Sequence, residues 1–113
     1  MITIDAQSKR LGRIASEAAK ALMGKHTPTF RRNKASGISV TIINASKADI
    51  SERRLENLVY ARYSGYPGGL KKESGTKLKS RKGFAELFRI AVAGMLPDNS
   101  LKRQMLKRLT ISE

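Results

Sequence analysis

Paired and clustered cations recur along the chain: Arg31-Arg32, Arg53-Arg54, Lys71-Lys72, the run from Lys77 to Lys82, and the run from Lys102 to Arg108. Lysine and arginine at this density hold phosphate. Each contact neutralises one backbone charge and releases a counterion, so binding weakens steeply with salt. Such contacts set position and register without reading bases, which leaves specificity to the shape of the RNA. A glycine-rich segment, Ser64-Gly65-Tyr66-Pro67-Gly68-Gly69, lies between Arg62 and Lys71-Lys72. Its glycines let backbone approach another chain closely, so that N–H groups reach phosphate or 2′-hydroxyl oxygens, and Tyr66 offers a ring for an unpaired base. The competing reading of the same segment is a rigid turn that serves only the fold.

Chemistry of other kinds lacks its residues. His26 is the only histidine, so neither a histidine metal cluster nor a general-base triad can form, and a surface or RNA-facing role is expected for it. There is no cysteine, which excludes disulfides and thiolate metal sites and agrees with a reducing compartment. No Gly-x-x-x-x-Gly-Lys-Ser/Thr loop occurs, and no dinucleotide fingerprint follows a strand. The nine carboxylates are few and scattered. No enzyme activity, small-molecule substrate or cofactor is expected. Gly65-Tyr66-Pro67-Gly68 fits the Gly-x-x-Gly pattern of KH domains, but that loop joins two helices, and here Pro67 and the preceding β-formers argue against it.

The totals bound the rest. A chain of 113 residues suits one domain spanning 1–113. Lys and Arg number 23 against 9 Asp and Glu, a net charge of +14, with an isoelectric point near 10.7. A compact domain with that charge repels itself, and a polyanion relieves the repulsion. The excess is spread along the chain, +6 over residues 1–50 and +8 over 51–113, so it is not a basic tail on a neutral fold. A membrane binder would concentrate it on one amphipathic helix. The N-terminus lacks the pattern of a signal peptide, and the apolar runs are far shorter than the roughly 18 residues of a membrane span. A soluble, cytoplasmic protein without membrane contact is expected.

The elements that must carry these groups follow from periodicity. Met1-Ile2-Thr3-Ile4 reads as a strand. Ser8 is the expected N-cap of a helix whose inner stripe is Leu11, Ile14, Ala15, Ala18 and Leu22, closed by Gly24. Lys9, Arg10, Arg13, Lys25 and His26 bracket that helix, and cations near its start oppose the helix dipole unless an anion joins them. A basic connection runs to Gly37. Ile38 to Ile43 reads as the best strand, ended by Asn44, and strand, helix and strand in this order predict a parallel βαβ unit. Asn44 either ties down a loop or touches RNA. Leu55 to Tyr63 is ambiguous between helix and strand, and one reading opens it as a short helix that finishes as a strand from Leu58 to Tyr63. Pro67-Gly68 suits the middle of a type II turn. Lys71 to Lys82 reads only as a charged stretch. Phe84, Leu87, Phe88, Ala91, Val92 and Met95 trace a second apolar helix stopped by Pro97. A last helix capped by Asn99 or Ser100 turns Leu101, Met105 and Leu109 inward.

Together these segments resemble one family. Leu11-Gly12-Arg13-Ile14-Ala15-Ser16, Gly24-Lys25-His26, Ile43-Asn44-Ala45, Ser64 to Leu70 and Gly94-Met95-Leu96-Pro97 stand in the order and spacing of the bacterial-type large-subunit ribosomal protein thirteen, from about Ile2 to Leu109. The resemblance implies a three-layer α/β/α domain around a four-stranded, mainly parallel sheet. It also implies a structural place in the large ribosomal subunit, joined early in assembly. The partners it implies are large-subunit (23S-type) rRNA and neighbouring ribosomal proteins, with no homo-oligomer. Three positions depart from the family pattern: Tyr63 stands where His is common, Ile38 where an acidic residue is usual, and Asp98 where Lys is typical.

The expected RNA-binding set is therefore Lys9, Arg10, Arg13, Lys25, His26, Arg31, Arg32, Arg53, Arg54, Arg62, Ser64, Gly65, Tyr66, Gly68, Gly69, Lys71, Lys72, Lys102, Arg103, Lys107 and Arg108. The rival readings are a free RNA-binding translational regulator acting off the ribosome and a general nucleic-acid-compacting protein. Few aromatics (5%) and a compact fold favour the structural ribosomal reading, because single-strand readers usually offer several stacking rings.

Overall fold

A computed structural model of the chain describes residues 2–34 and 37–113, so Met1 and part of the basic connection lie outside the described residues. Three strands, β1 (Ile2–Asp5), β2 (Val40–Ile43) and β5 (Leu109–Ile111), pair in parallel in the order β1-β2-β5. The register sets Ile2 beside Val40 and Leu109, Thr3 beside Thr41 and Thr110, and Ile4 beside Ile42 and Ile111. Alternation along each strand then divides the sheet into two faces. Ile4, Val40, Ile42 and Leu109 are buried, while Thr3 and Thr110 of the opposite row are exposed.

Helix α1 (Leu11–Met23) crosses from β1 to β2 and buries Leu11, Ile14, Ala15, Ala18, Ala19, Ala21 and Leu22, the stripe expected from its spacing. Gly24 ends it in the left-handed region at φ 77°. Ser8 is not its N-cap. The chain leaves β1 and turns back at once, and Ser8 takes φ 59° to make that turn, with Lys9 N–H donating to the Ala6 carbonyl. Arg10 occupies the cap position without a side-chain cap bond. Asn44 Nδ2 donates to Asp5 Oδ1 at 3.1 Å and ties the ends of β1 and β2 together. Asp5 also accepts the Gln7 N–H, and the two bonds hold its carboxyl below the ordinary aspartate value.

After a short 3-10 turn at Ala45–Lys47 come α2 (Glu52–Asn57), the antiparallel pair β3 (Val59–Tyr63) and β4 (Leu70–Ser74), α3 (Gly75–Lys82), α4 (Phe84–Met95) and α5 (Lys102–Lys107). The helix-then-strand reading of Leu55 to Tyr63 therefore holds. Neither Asn99 nor Ser100 is the N-cap of α5: Leu101 takes that position without a side-chain cap bond, and Asn99 Oδ1 accepts the Leu101 N–H in the turn that precedes it. Two further expectations need correction. Lys71 to Lys82 is not merely a charged stretch, because cross-strand pairing makes its first part β4 and the Ser74 hydroxyl, accepting the Lys77 N–H, starts α3. Leu109 does not lie on the last helix. The open edge of β2 captures Leu109-Thr110-Ile111 as a strand, and that tertiary pairing overrides the helical spacing.

The α/β class stands, with three parallel strands in one sheet and the β3-β4 hairpin as a separate two-stranded sheet. Both crossovers step in the same direction across the sheet. Right-handed connections then deliver α1 and α4 to the same face, where they pack on each other. Outside the named strands, the described residues contain one isolated parallel bridge, between Arg10 and Asp49.

Helix α4 is shared by two apolar clusters. Phe88 and Val92 enter the main core with Ile14, Leu22, Val40 and Ile42. Leu87 enters a second cluster with Leu55 and Leu78, flanked by Leu58, Tyr60 and Phe84. That second cluster holds α2, α3 and the hairpin against α4. Gly75 is needed at its edge, since a Cβ there would lie 2.7 Å from the Leu55 carbonyl oxygen. The start of α4 is capped from afar: Glu113 Oε1 accepts the N–H groups of Phe84 at 2.9 Å and Ala85 at 3.4 Å.

Truncating Phe88 to Ala should cost about 3–5 kcal/mol of folding stability, the usual penalty for emptying a fully buried aromatic site. Urea denaturation measures it, and amide exchange in β3 and β4 should accelerate along with that in the parallel sheet.

Candidate nucleic-acid interface

The hairpin presents two unlike faces. Its register pairs Val59 with Ser74, Tyr60 with Glu73, Ala61 with Lys72, Arg62 with Lys71 and Tyr63 with Leu70. Alternation therefore sets Tyr60, Arg62, Lys71 and Glu73 on one side and Val59, Ala61, Tyr63, Leu70 and Lys72 on the other. The first side meets α3. Tyr60 is half-buried there, and burial pushes its hydroxyl above the ordinary tyrosine value.

Glu73 organises that side. Its carboxylate takes a two-pronged bond from the Arg81 guanidinium, Nε to Oε1 at 3.0 Å and Nη2 to Oε2 at 2.7 Å, and Arg62 stands 3.6 Å away. The Arg81 bond holds the Glu73 carboxyl below its ordinary value, and the carboxylate in turn raises the guanidinium. Planar two-pronged pairing fixes orientation as well as distance. Strand β4 is thus tied to α3 across a basin of about 560 Å³ lined by Arg62, Lys71, Lys72, Glu73, Lys77, Ser80 and Arg81. Five cations share it with one carboxylate, so the basin keeps a cationic excess after the tie is made. Its shape is an open trough suited to a phosphate backbone.

At the tip, the Gly69 N–H donates to the Tyr66 carbonyl at 2.9 Å, and Gly68 sits at φ 74° after Pro67. This is the type II turn expected from Pro67-Gly68. It leaves the Tyr66 ring 76% exposed, and Tyr63 at the strand end is 65% exposed. Ser64, Gly65 and Gly68 are exposed, and Gly69 is half-buried beneath them.

The structure sorts the remaining expected residues into separate places. Lys9 and Arg10 ride the turn into α1 and Arg13 its first turn, which holds no acidic residue. Arg10 lies 4.0 Å from Asp49, but both side chains are largely exposed and such a pair contributes little. Lys25, His26, Arg31 and Arg32 are exposed beyond the end of α1, and three of them, Lys25, Arg31 and Arg32, rim one hollow with residues of the α5 approach. Arg53 and Arg54 stand on α2 beside a shallow hollow with Ser51 and Asn57. On α5, Arg103 and Lys107 are exposed, and Arg108 just past its end is half-buried. Lys102 is engaged by Asp98 at 2.8 Å, which lowers the Asp98 carboxyl and takes up the ammonium. Among the described residues no group of acidic or histidine side chains is arranged to hold a metal, and no helix is long and apolar enough to cross a membrane.

The family model described as ribosomal protein L13 matches residues 1–113. The chain belongs to the ribosomal protein L13 family. It is 47% identical over 108 residues to the large ribosomal subunit protein uL13 of Caldanaerobacter subterraneus subsp. tengcongensis, covering 96% of this chain and 75% of that relative. It is 46% identical over 108 residues to the uL13 of Thermoanaerobacter sp., with 96% and 75% covered. The uL13 of Dehalococcoides mccartyi is 45% identical over 111 residues, with 97% and 76% covered.

The family resemblance pointed to the Ser64 to Leu70 tip, and the charge run pointed to Lys77 and Arg81. Neither signalled that Glu73 joins strand to helix. Because the Glu73 carboxyl is depressed in the folded chain, its tie stabilises above the ordinary glutamate value of 4.5 and is lost as pH falls through the lower folded value. Asp5 and Asp98 titrate in the same range, so the informative quantity is a difference. Glu73→Gln should be less stable than the native chain at neutral pH, and the gap in urea midpoint should close on acidification below 4.5.

Proposed function

We propose that this chain is a structural constituent of the large ribosomal subunit, located with it in the cytoplasm. It acts there as one ribosomal-protein domain spanning 1–113. The observation that carries the reading is similarity over 96% of this chain, and 75% of the relatives, to proteins named for that subunit, at 42–47% identity. Its contacts are with large-subunit rRNA and neighbouring ribosomal proteins, and the chain supports early subunit assembly and translation without homo-oligomerising.

Mechanistically, the chain fills space between RNA helices and neutralises phosphates. Lys71, Lys72 and Arg62 carry the basin on the hairpin, and Lys77 extends it along α3. Arg81 is spent on Glu73 and acts by positioning the wall. The tip, Ser64 to Gly69, brings backbone close to RNA, and Tyr66 stacks on an unpaired base. Lys9, Arg10, Arg13, Lys25, His26, Arg31, Arg32, Arg53, Arg54, Arg103, Lys107 and Arg108 supply further phosphate contacts around the body, and Lys102 joins them where its bond to Asp98 yields. The four-stranded, three-layer form of the fold belongs to the same proposal. In its favour, the Arg10–Asp49 bridge adds a parallel pair, and the threonine face of the sheet is open to a further layer.

Sedimentation tests the reading. The tagged chain should remain in the large-subunit fraction in stoichiometric amount after a high-salt wash, which strips proteins held by surface phosphate contacts alone. Appearance in the light fractions instead would reject the structural role and favour the off-ribosome regulator. Tyr66→Ala and Gly68→Val should reduce large-subunit assembly while the free protein keeps its native circular dichroism. Normal assembly with both variants would remove the tip from the RNA contacts.

A further inference from the structure

A second hollow, apart from the hairpin, has a different chemistry. Met23 at the end of α1, Phe30 in the connection, Pro97 after α4 and Met105 on α5 give it an apolar lining, and Lys25, Arg31, Arg32 and Asn99 complete it. Its volume is about 220 Å³. Pockets that enclose drug-sized ligands run to roughly 300–1,000 Å³, so this one suits a smaller occupant such as a single ring system. Met105 is buried and forms the floor, whereas Phe30 is 38% exposed and stands as a wall with its ring accessible. Thioether sulfurs and an aromatic face both make favourable contact with a π system.

The polar groups say what the ring must carry. Lys25, Arg31 and Arg32 make no ion pair with a carboxylate among the described residues, and no carboxylate lines the hollow. Three cations around an apolar slot call for a planar group attached to an anion. Asn99 uses Oδ1 to accept the Leu101 N–H, which leaves its Nδ2 to donate to an acceptor on the ring edge. We infer that this hollow receives one base extruded from RNA, stacked against Phe30 over the two methionines, with its flanking phosphates on Lys25, Arg31 and Arg32. Extruded, unstacked bases are the form in which proteins read RNA through aromatic rings and edge hydrogen bonds. The inference rests on the proposed RNA-bound role and adds a base-binding site to it, one built from residues on three separate parts of the chain. An apolar protein side chain fits the lining equally well, but it leaves the three cations without a counter-charge.

The test uses salt-washed large subunits carrying the tagged chain, probed with a base-modifying reagent and, separately, with hydroxyl radicals that report the RNA backbone. In subunits with Phe30→Ala, one base should gain reactivity roughly tenfold, as expected for the loss of one stacking contact. Backbone protection and the amount of bound protein should stay unchanged. Phe30→Tyr, which keeps the ring, should keep that base protected. Phe30→Leu keeps apolar volume without a π face and should behave like Phe30→Ala, which guards against a variant that fails to enter the subunit. Native levels of every variant with no base changed in reactivity would overturn the inference. So would exclusion of both Phe30→Ala and Phe30→Leu, since Phe30 would then be a packing residue. Loss of the unsubstituted chain from the washed subunit is a separate result that defeats the ribosomal reading itself.

Discussion

Helix α4 belongs to two cores at once, and most of the molecule is arranged around that sharing. Phe88 and Val92 close the core over the parallel sheet, and Leu87 closes the smaller one beneath the hairpin. A helix in that position cannot shift toward one cluster without opening the other, because packed interiors tolerate little free volume. The basin is therefore held at a set place relative to the sheet, although the hairpin is a separate two-stranded sheet. An isolated hairpin is at best marginal in water. This one is held by Tyr60, Leu58 and Leu78 on one side and by the Glu73–Arg81 tie. Glu113, two residues past the end of β5, adds an anchor by capping the start of α4.

Charge works against this compactness. A net charge of +14 on a chain of 113 residues is a standing repulsion, and the ion pairs present do little to offset it. Four side-chain pairs occur among the described residues, and only Glu73 is well sheltered from solvent. The carboxylates serve to place particular cations: Glu73 orients Arg81, and Asp98 holds Lys102. The cations left over are what a polyanion would neutralise. Structural membership of a ribonucleoprotein answers the repulsion that the free chain must bear.

The sequence made α1 and α4 legible, since a sustained 3.6-residue apolar stripe survives whatever surrounds it. It made the type II turn legible through Pro67-Gly68. Strands β4 and β5 were hidden because nothing local declares them. Leu70 to Ser74 is a lysine-rich run that becomes a strand only beside β3, and Leu109 to Ile111 is too short to separate from the helix before it. Ser8 misled because capping chemistry and turn chemistry favour the same residue type. At the candidate site the cations were plain from composition and spacing. Their sorting was not: which one is tied, which are grouped and which stand alone is decided by residues distant in sequence, as with Lys25 and Asn99 about one hollow.

Electron cryomicroscopy of the assembled particle shows whether the hairpin basin faces RNA. An rRNA backbone is expected in the trough between β4 and α3, with phosphate oxygens within ion-pair distance of Arg62, Lys71, Lys72 or Lys77 and with Arg81 still on Glu73. A subunit in which that trough opens to solvent or to a protein neighbour, with the RNA on another face, would contradict it.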